Sequence, residues 1–383
     1  MTQRPDPTEF LILSASTGNG HISAAIATEV EMRERGVQAW HQDTLLWTPK
    51  LWKLWYGGGY EFIVRRAPGL WGNLYFDSDK EGWKYDFQTW MDTQMCWQLD
   101  KLVEWTNPTW TVCTHSLPQP KLAEIRAKRG GGPKMAVVVT DLWPHKMWLR
   151  GEPDWFFAPS EWSADELEKR MPGARARTTV TGIPVHPAFN DPRPKAEIRQ
   201  ALGLPLDEPV VLLTAGGIGA GPMVPMLKKL SQSPIPITVV CVCGRNQAAY
   251  RKVFIAKPWL TSGSQMTLKL HGHMPRLDMA AHMNACDLLM GKPGGLTTSE
   301  ALVAGCPFLV ADPFVIPGQE EGNRDFLVQE GIGARGKTAE DAARIAVELV
   351  QDCGRLEEMS RRAKAHALPN AAAAITQQLL SLA

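Results

Sequence analysis

The sequence lacks three features that would assign it to common classes of protein. Its 41 lysines and arginines are balanced by 40 aspartates and glutamates, which gives no reason to expect a nucleic-acid partner. Its seven cysteines are scattered and form no CxxC pair, so neither a disulfide framework nor a zinc site is indicated. No stretch approaches the roughly 20 apolar residues that a membrane-spanning helix requires. We therefore expect a protein of the reducing cytosol that neither spans a bilayer nor carries an export signal.

Tryptophan, by contrast, is abundant and unevenly distributed. Ten of the 15 tryptophans lie between residues 40 and 112, and 14 precede residue 163. In this Trp-rich segment, Trp52 and Trp55 lie at helical spacing beside basic residues, which is typical of an interfacial element with its rings at headgroup depth. For any single tryptophan, packing in an aromatic core is the alternative. For the segment as a whole we expect contact with a membrane surface.

The order of strand and helix patterns predicts an α/β fold with two domains. The second half alternates strands and helices from PVVLLTA onward, and the first half begins with a strand, a loop and a helix. Such alternation predicts doubly wound parallel sheets that bind ligands at the carboxyl ends of their strands. Four prolines between residues 184 and 194 interrupt any regular element. We therefore predict domains at 1–187 and 188–383, with the Trp-rich segment (about 40–112) inserted in the first.

The stretch that begins GKPGGLTTSE predicts a phosphate site. Gly294 and Gly295 follow a predicted buried strand, and the lack of a Cβ lets a ligand approach their backbone. With Leu296 they lead into a helix whose free N–H groups and positive dipole end favour a diphosphate. Thr297 is the predicted N-cap of this helix, with Glu300 as its capping-box partner.

Other glycine-rich or polar segments follow neighbouring strands of the second half. Gly217 and Gly219 lie in GGIGAG, Arg245 lies in CGRN, and Gln319 and Glu320 open a later helix. A further segment, GHM, comprises Gly272, His273 and Met274. Because the carboxyl ends of parallel strands meet at one edge of a sheet, we expect these segments to surround one nucleotide site.

The first half places two candidate bases at its own sheet edge. The motif SASTGNGH follows a strand and puts His21, after Gly18 and Gly20, at a helix N-terminus. The positive end of a helix keeps an imidazole neutral and able to accept a proton, although a merely structural histidine is the alternative. Asp141 follows the next strand motif as a second candidate base, or as a cap of the following turn. His115, in THSLPQ, is expected at the same edge.

In this order the motifs resemble a family of glycosyltransferases. It holds the monogalactosyldiacylglycerol synthases, the bacterial diacylglycerol glucosyltransferases and, more distantly, the peptidoglycan N-acetylglucosaminyltransferase. The family's histidine loop reads GGGH, and this sequence departs from it mildly, with Asn19 at the middle glycine. The resemblance implies the GT-B architecture, two Rossmann-like domains facing each other across a cleft.

On the donor side, the resemblance implies that Glu300 reaches the ribose instead of capping its helix. Gln319 and Glu320 would hydrogen-bond hexose hydroxyls, or form only an acidic first helical turn. The loop with Gly217 and Gly219 would close on the sugar and diphosphate. The resemblance also implies contact with the UDP part of the donor for Gly272, His273, Met274, Gly294, Gly295, Leu296 and Thr297. Arg245 would pair with phosphate, or form only a solvated helix start.

On the acceptor side, the resemblance implies that His21 activates the acceptor hydroxyl, with Asp141 as a rival base or orienting group. The acceptor or lipid side would be lined by Gly18, Gly20, His115 and Trp148. For Trp148 a place in the core is the alternative.

The resemblance therefore implies an inverting hexosyltransferase at the cytoplasmic face of a membrane. It would move glucose or galactose from UDP-glucose or UDP-galactose to diacylglycerol or a glycosyl-diacylglycerol. The UDP-sugar is a substrate, and neither a cofactor nor a metal is expected, because a helix N-terminus can stabilise the leaving diphosphate. The alternatives are transfer to another lipid acceptor, a UDP-sugar epimerase on the same fold, and a non-catalytic UDP-sugar sensor.

Overall fold

The computed structural model describes residues 8–53, 56, 59, 62–63, 67–80, 82–217, 219 and 221–382. The predicted membrane residue Trp55 lies outside these ranges. The chain divides into two compact units. Unit 1 comprises Met1–Val185 and Asn370–Ala383, and unit 2 comprises His186–Pro369.

Unit 1 contains a six-stranded parallel sheet of strand order β2-β1-β3-β4-β5-β6. Its strands are β1 (Phe10–Ser14), β2 (Ala39–Asp43), β3 (Trp110–Cys113), β4 (Lys134–Val138), β5 (Trp155–Ala158) and β6 (Thr178–Val180). Every residue of β1 is buried, as expected for a central parallel strand with helices on both faces. The α-helices of unit 1 are Asn19–Glu34, Lys50–Lys53, Pro68–Ser78, Trp83–Met95, Leu99–Thr106, Gln119–Arg129, Glu161–Arg170 and Ala371–Leu382.

Unit 2 contains a second six-stranded parallel sheet, of strand order β12-β11-β10-β7-β8-β9. Its strands are β7 (Val210–Thr214), β8 (Ile237–Val242), β9 (Met266–His271), β10 (Leu288–Gly291), β11 (Phe308–Ala311) and β12 (Gly333–Gly336). Its α-helices are Lys195–Ala201, Met223–Leu230, Gln247–Thr261, Arg276–Ala285, Gly295–Ala304, Glu321–Gln329, Ala339–Gln351 and Cys353–Ala365. The predicted fold class, two doubly wound parallel sheets, is confirmed.

The end of the chain corrects the predicted domain limits. The helix Ala371–Leu382 belongs to unit 1, although the sequence interpretation assigned all of 188–383 to the second domain. Its apolar side chains Ile375 and Leu379 lie in the same core cluster as Phe10 and Ile12 of β1. Burial of these side chains against the first sheet explains why the helix packs there.

The Trp-rich segment is less of an insertion than predicted. Its first residues form β2 and its last form β3, so both ends belong to the sheet, and Trp110 is buried in the core. Between the strands, the described residues form the 3₁₀ turn Thr44–Trp47 and the four helices from Lys50–Lys53 to Leu99–Thr106. A search of the described helices finds none long and apolar enough to span a bilayer.

Candidate active site

In unit 1, His21 lies in the first turn of the helix Asn19–Glu34, beside the carboxyl ends of β3 and β4. Its Nδ1 lies 2.9 Å from the carbonyl oxygen of Thr114 and 2.8 Å from the Thr140 hydroxyl. A carbonyl oxygen only accepts hydrogen bonds, so the neutral ring carries its proton on Nδ1. In the described part of the chain no residue hydrogen-bonds to Nε2, whose lone pair is therefore available to a ligand.

Burial also sets the charge of His21. Desolvation lowers its pKa to about 4, against a smaller opposing effect of the hydrogen bond to Thr114. His21 is therefore neutral at physiological pH. A neutral imidazole with a free Nε2 is the form that a general base requires.

His115 forms a pair with His21. The two rings lie 4.5 Å apart in an edge-to-face arrangement. The amide of Leu117 donates to Nδ1 of His115 at 3.0 Å, so the ring proton lies on Nε2, which donates to the Thr17 hydroxyl at 3.2 Å. Desolvation and the neighbouring His21 hold the pKa of His115 well below its usual value. Backbone groups thus fix the tautomers of both rings.

The other predicted residues of unit 1 surround this pair in different ways. Gly18 is the N-cap of the His21 helix, a Cβ there would meet no atom within 4 Å, and Gly20 lies in the first turn. Asp141 is half-buried and directly follows Thr140, the residue that contacts His21. Trp148 is only 4% exposed and packs in the core, with its ring centroid 6.1 Å from that of His21. Trp148 therefore packs beside His21 in the core and is not exposed to an acceptor.

In unit 2, the loops after β7 and β8 interlock through glycines. Gly219 has a φ of +65°, and a Cβ there would lie 2.1 Å from the carbonyl oxygen of Cys243. Gly244 likewise leaves no room for a Cβ beside the carbonyl oxygens of Gly216 and Gly217. Only glycine fits this contact, so each of the two loops determines the shape of the other.

Asn246 completes the junction between these two loops. Its amide donates to the carbonyl of Gly219 at 2.7 Å, and its side-chain oxygen accepts from the amide of Ala249 as the N-cap of the helix Gln247–Thr261. The neighbouring Arg245 is exposed, and its amide donates to the carbonyl of Gly217. In CGRN, the sequence interpretation considered only the arginine, whereas the asparagine holds the loop.

The GHM segment follows β9 at the same edge of the second sheet. Gly272 is half-buried and His273 is exposed, whereas Met274 is buried. The helix Arg276–Ala285 begins two residues after this segment. GHM is therefore a short connection with one apolar anchor.

The Gly294 turn differs from the predicted capping box. The helix begins at Gly295, with Gly294 as its N-cap and no side-chain cap. Thr297 thus lies within the first turn, after Leu296, and is not the N-cap. The prediction that Thr297 and Glu300 form a capping box is wrong, because the extended backbone of Gly294 starts the helix three residues earlier.

Glu300 consequently has no capping role in this helix. Among the described residues, none forms a hydrogen bond with its carboxyl group. Desolvation raises its pKa to about 8, with a partial opposing effect of the positive charge of Arg276. A carboxyl group without a hydrogen bond from the described residues is available to partners from a ligand. A ligand with hydroxyl groups would supply them.

Glu320, by contrast, is engaged within the protein. It is 3% exposed, forms an ion pair with Lys292 and accepts a 2.9 Å hydrogen bond from the amide of Ile316. In this conformation its carboxylate ties the loop before the helix Glu321–Gln329 to the Gly294 turn, and its contact with a hexose stays a prediction. Asn323 adds a second tie through its 2.9 Å bond to the carbonyl of Pro293. Gln319, beside Glu320, is half-buried.

Several of these supporting residues escaped the sequence analysis. Thr114 and Thr140 lie in motifs of which only the histidine and the aspartate were considered as site residues. Lys292 precedes the glycine turn, and no local sequence pattern indicates its role. The described part of the chain holds no group of three or more His, Cys, Asp and Glu residues placed to bind a metal ion.

The predicted membrane residue Trp52 does not lie on an aromatic surface. It is half-buried, packs on Tyr56 with ring centroids 5.7 Å apart, and has a buried indole N–H. Three exposed rings of the Trp-rich segment lie together on the helix Trp83–Met95. Trp83, Phe87 and Trp90 are 74%, 55% and 55% exposed and follow helical spacing, so they share one face. We call these three residues the aromatic face.

The chain is similar in sequence to known enzymes. The sequence model of the monogalactosyldiacylglycerol (MGDG) synthase family matches residues 21–185. A processive diacylglycerol beta-glucosyltransferase of Bacillus pumilus is 27% identical over 97% of this chain and 94% of its own length. These matches confirm the family resemblance expected from the motifs.

Solved structures support the fold. The crystal structure of MurG from Acinetobacter baumannii superposes with a TM-score of 0.64 at 16% identity, covering 98% of this chain and 100% of MurG. A UDP-GlcNAc 2-epimerase of Neisseria meningitidis, solved with UDP-GlcNAc, reaches a TM-score of 0.61 at 16% identity, covering 97% and 99% of the two chains. These similarities show the GT-B fold alone.

Proposed function

We propose that this chain, a relative of the monogalactosyldiacylglycerol synthases and diacylglycerol glucosyltransferases, transfers a hexose from a UDP-sugar to diacylglycerol with inversion. The relatives establish the class of enzyme, a hexosyltransferase of glycolipid synthesis. UDP-glucose and UDP-galactose are the proposed donors. Diacylglycerol or a glycosyl-diacylglycerol is the proposed acceptor.

The observation that carries the proposal is the state of His21. Its Nδ1 proton is held by Thr114 and Thr140, and its Nε2 has a free lone pair at a helix N-terminus. Nε2 would withdraw the proton of the acceptor hydroxyl as its oxygen attacks the anomeric carbon. Attack from the face opposite UDP inverts the anomeric configuration, so an α-linked donor gives a β-glycoside. Asp141 remains the rival base.

Unit 2 supplies the donor side of the proposal. The diphosphate would lie at the N-terminus of the helix Gly295–Ala304, whose free N–H groups stabilise the negative charge of the departing UDP. Glu300 would accept hydrogen bonds from the two ribose hydroxyls, the partners that its carboxyl group lacks. Because backbone N–H groups provide this stabilisation, we propose transfer without a metal or cofactor.

The acceptor class requires access to a bilayer, and the aromatic face offers a means of attachment. Exposed tryptophan and phenylalanine rings on one face of a helix insert at the depth of lipid headgroups. We propose a peripheral enzyme at the cytoplasmic face of a membrane, attached through Trp83, Phe87 and Trp90 in place of Trp52.

The test is incubation with radiolabelled UDP-glucose and, separately, UDP-galactose on vesicles that contain diacylglycerol, followed by chromatography of the lipids. We expect a labelled monoglycosyl lipid from one donor, sensitivity of its linkage to a β-glycosidase, and unchanged yield in a chelator. Vesicles without diacylglycerol are the control. Conversion of the UDP-sugar without lipid would identify an epimerase. Donor binding without UDP release on this and other lipid acceptors would identify a sensor.

A further inference from the structure

Charge is unevenly distributed along the sequence of unit 2. Although the whole chain is nearly neutral, the stretch from residue 209 to residue 277 contains no aspartate or glutamate. The basic residues of this stretch are Lys228, Lys229, Arg245, Arg251, Lys252, Lys257, Lys269 and Arg276. This stretch is therefore a net-positive part of an otherwise balanced chain.

The helix Gln247–Thr261 carries the centre of this segment. Its inner side packs in the core through Val253, Ala256 and Leu260. On its outer side, Phe254, Ile255 and Trp259 are 62%, 73% and 52% exposed. Pro258 lies between them and is also exposed. We call these four outer residues the unit 2 apolar face.

Basic side chains surround the unit 2 apolar face. At 100° per residue, Lys252 and Lys257 fall on its opposite flanks, and Arg251 lies within it. In the part of the chain that the structure describes, none of the three forms an ion pair. Other surface cations of unit 2 are paired, for example Lys229 with Glu340 at 2.9 Å. Unpaired cations around exposed apolar side chains are the composition of a helix that lies in a membrane interface.

From this arrangement we infer that the helix Gln247–Thr261 binds the surface of a bilayer that contains anionic lipid. Phe254, Ile255, Pro258 and Trp259 enter the headgroup region, and the three cations contact lipid phosphates. This contact is separate from the aromatic face of unit 1. The inference rests on the proposed function in one respect, because it supposes that the acceptor resides in a bilayer.

The experiment is co-flotation of the full chain with vesicles of phosphatidylcholine, with and without added phosphatidylglycerol, in the absence of substrates. The apolar variant combines Phe254→Ser, Ile255→Ser and Trp259→Ser, and the charge variant combines Lys252→Gln and Lys257→Gln. Matched controls on the same unit are Leu206→Ser with Val328→Ser, and Lys337→Gln with Arg355→Gln, since all four residues are exposed. Unfolding temperatures and UDP affinity verify folding of each variant.

We expect the apolar variant to bind at least tenfold more weakly to both kinds of vesicle. The charge variant should lose about thirtyfold on anionic vesicles only, because each of the two cations near an anionic surface contributes about 1 kcal/mol. Both control pairs should bind as the parent does. Parent-like flotation of both test variants overturns the inference. A parent dimer that the apolar variant dissociates, with flotation unchanged, would assign the face to self-association instead.

Failure of the proposed function would give a different result. Transfer to a short-chain diacylglycerol dispersed without a bilayer tests the reaction alone, and there the apolar variant should match the parent. An inactive parent whose flotation still depends on the helix would refute the proposed reaction and retain the lipid surface. An active parent whose flotation does not change in the helix variants would support the proposed reaction and refute the lipid surface.

Discussion

The two units form their candidate sites from different groups, although both sites lie at the carboxyl ends of a six-stranded parallel sheet. In unit 1, side chains form the site: His21 and His115 contact each other, and backbone groups fix both tautomers. In unit 2, backbone forms most of the site: the glycine loops after β7 and β8 interlock, a helix N-terminus follows β10, and the Glu300 carboxyl group has no hydrogen bond from the described residues. Proton transfer needs one atom in one protonation state, whereas binding a diphosphate needs many N–H groups. Substitutions should therefore separate the two units into catalytic and binding halves.

The largest effect is expected for His21→Ala. Loss of a general base should lower kcat by roughly 10²–10⁴ and leave UDP affinity within twofold of the parent. Steady-state kinetics and calorimetry with UDP measure the two quantities. Asp141→Asn is the comparison. An active His21→Ala enzyme beside an inactive Asp141→Asn enzyme would transfer the base role to Asp141.

Gly219→Ala should produce the opposite pattern, with binding affected first. A Cβ at Gly219 would lie 2.1 Å from the carbonyl oxygen of Cys243, so the loop must move. We expect UDP affinity to fall at least tenfold. Gly203→Ala is the matched control, because its φ of +60° is similar but its Cβ would meet only the Lys269 amine, at 3.9 Å. Equal UDP affinities of the two variants would show that the loop contact is irrelevant to the donor.

Glu300→Gln should weaken UDP binding about tenfold, because it replaces charge-assisted hydrogen bonds to the ribose with weaker ones. The parent carboxyl, with a pKa of about 8, is mostly protonated at pH 7. Binding that requires the carboxylate should therefore release a proton. Calorimetry in buffers of different ionisation enthalpy detects this release, and the variant should lack it.

Glu300 also predicts a dependence of stability on pH. Its pKa is raised in the folded state, so the folded protein binds the additional proton between about pH 4.5 and 8. The stability from this group is complete below that window and is lost as the pH rises through it. The unfolding temperature of the parent, relative to Glu300→Gln, should fall from pH 5 to pH 8. A constant difference would show that the carboxyl group has a normal pKa.

The smallest effect is expected at the membrane surface of unit 1. Trp83→Ser with Trp90→Ser should reduce vesicle co-flotation severalfold and leave the unfolding temperature unchanged, because both rings are exposed. Trp52→Ser should instead lower the unfolding temperature, since this ring is half-buried against Tyr56. Reduced co-flotation in Trp52→Ser, together with a lower unfolding temperature in the Trp83→Ser and Trp90→Ser variant, would instead assign Trp52 to the membrane surface.

The features that could be predicted are those that depend on residues close together in the sequence. Strand patterns followed by glycine turns identify both sheet edges, because each signal lies within a few residues of the element that it defines. The Thr297 cap was mispredicted because Gly294 can start the helix through its own extended backbone. The ion pair of Glu320 with Lys292 joins residues far apart in sequence, so no local pattern reveals it. The strands β2 and β3 were not predicted, because their tryptophans were interpreted as part of the Trp-rich segment.

The return of the helix Ala371–Leu382 to unit 1 has a consequence for biosynthesis. The side of the first sheet that carries Phe10 and Ile12 obtains part of its cover from Ile375 and Leu379. A ribosome that adds about 5–20 residues per second needs on the order of 10–40 seconds to travel from residue 185 to this helix. All of unit 2 emerges during that interval. Unit 2 can therefore finish folding while unit 1, which is made first, still exposes apolar surface to chaperones.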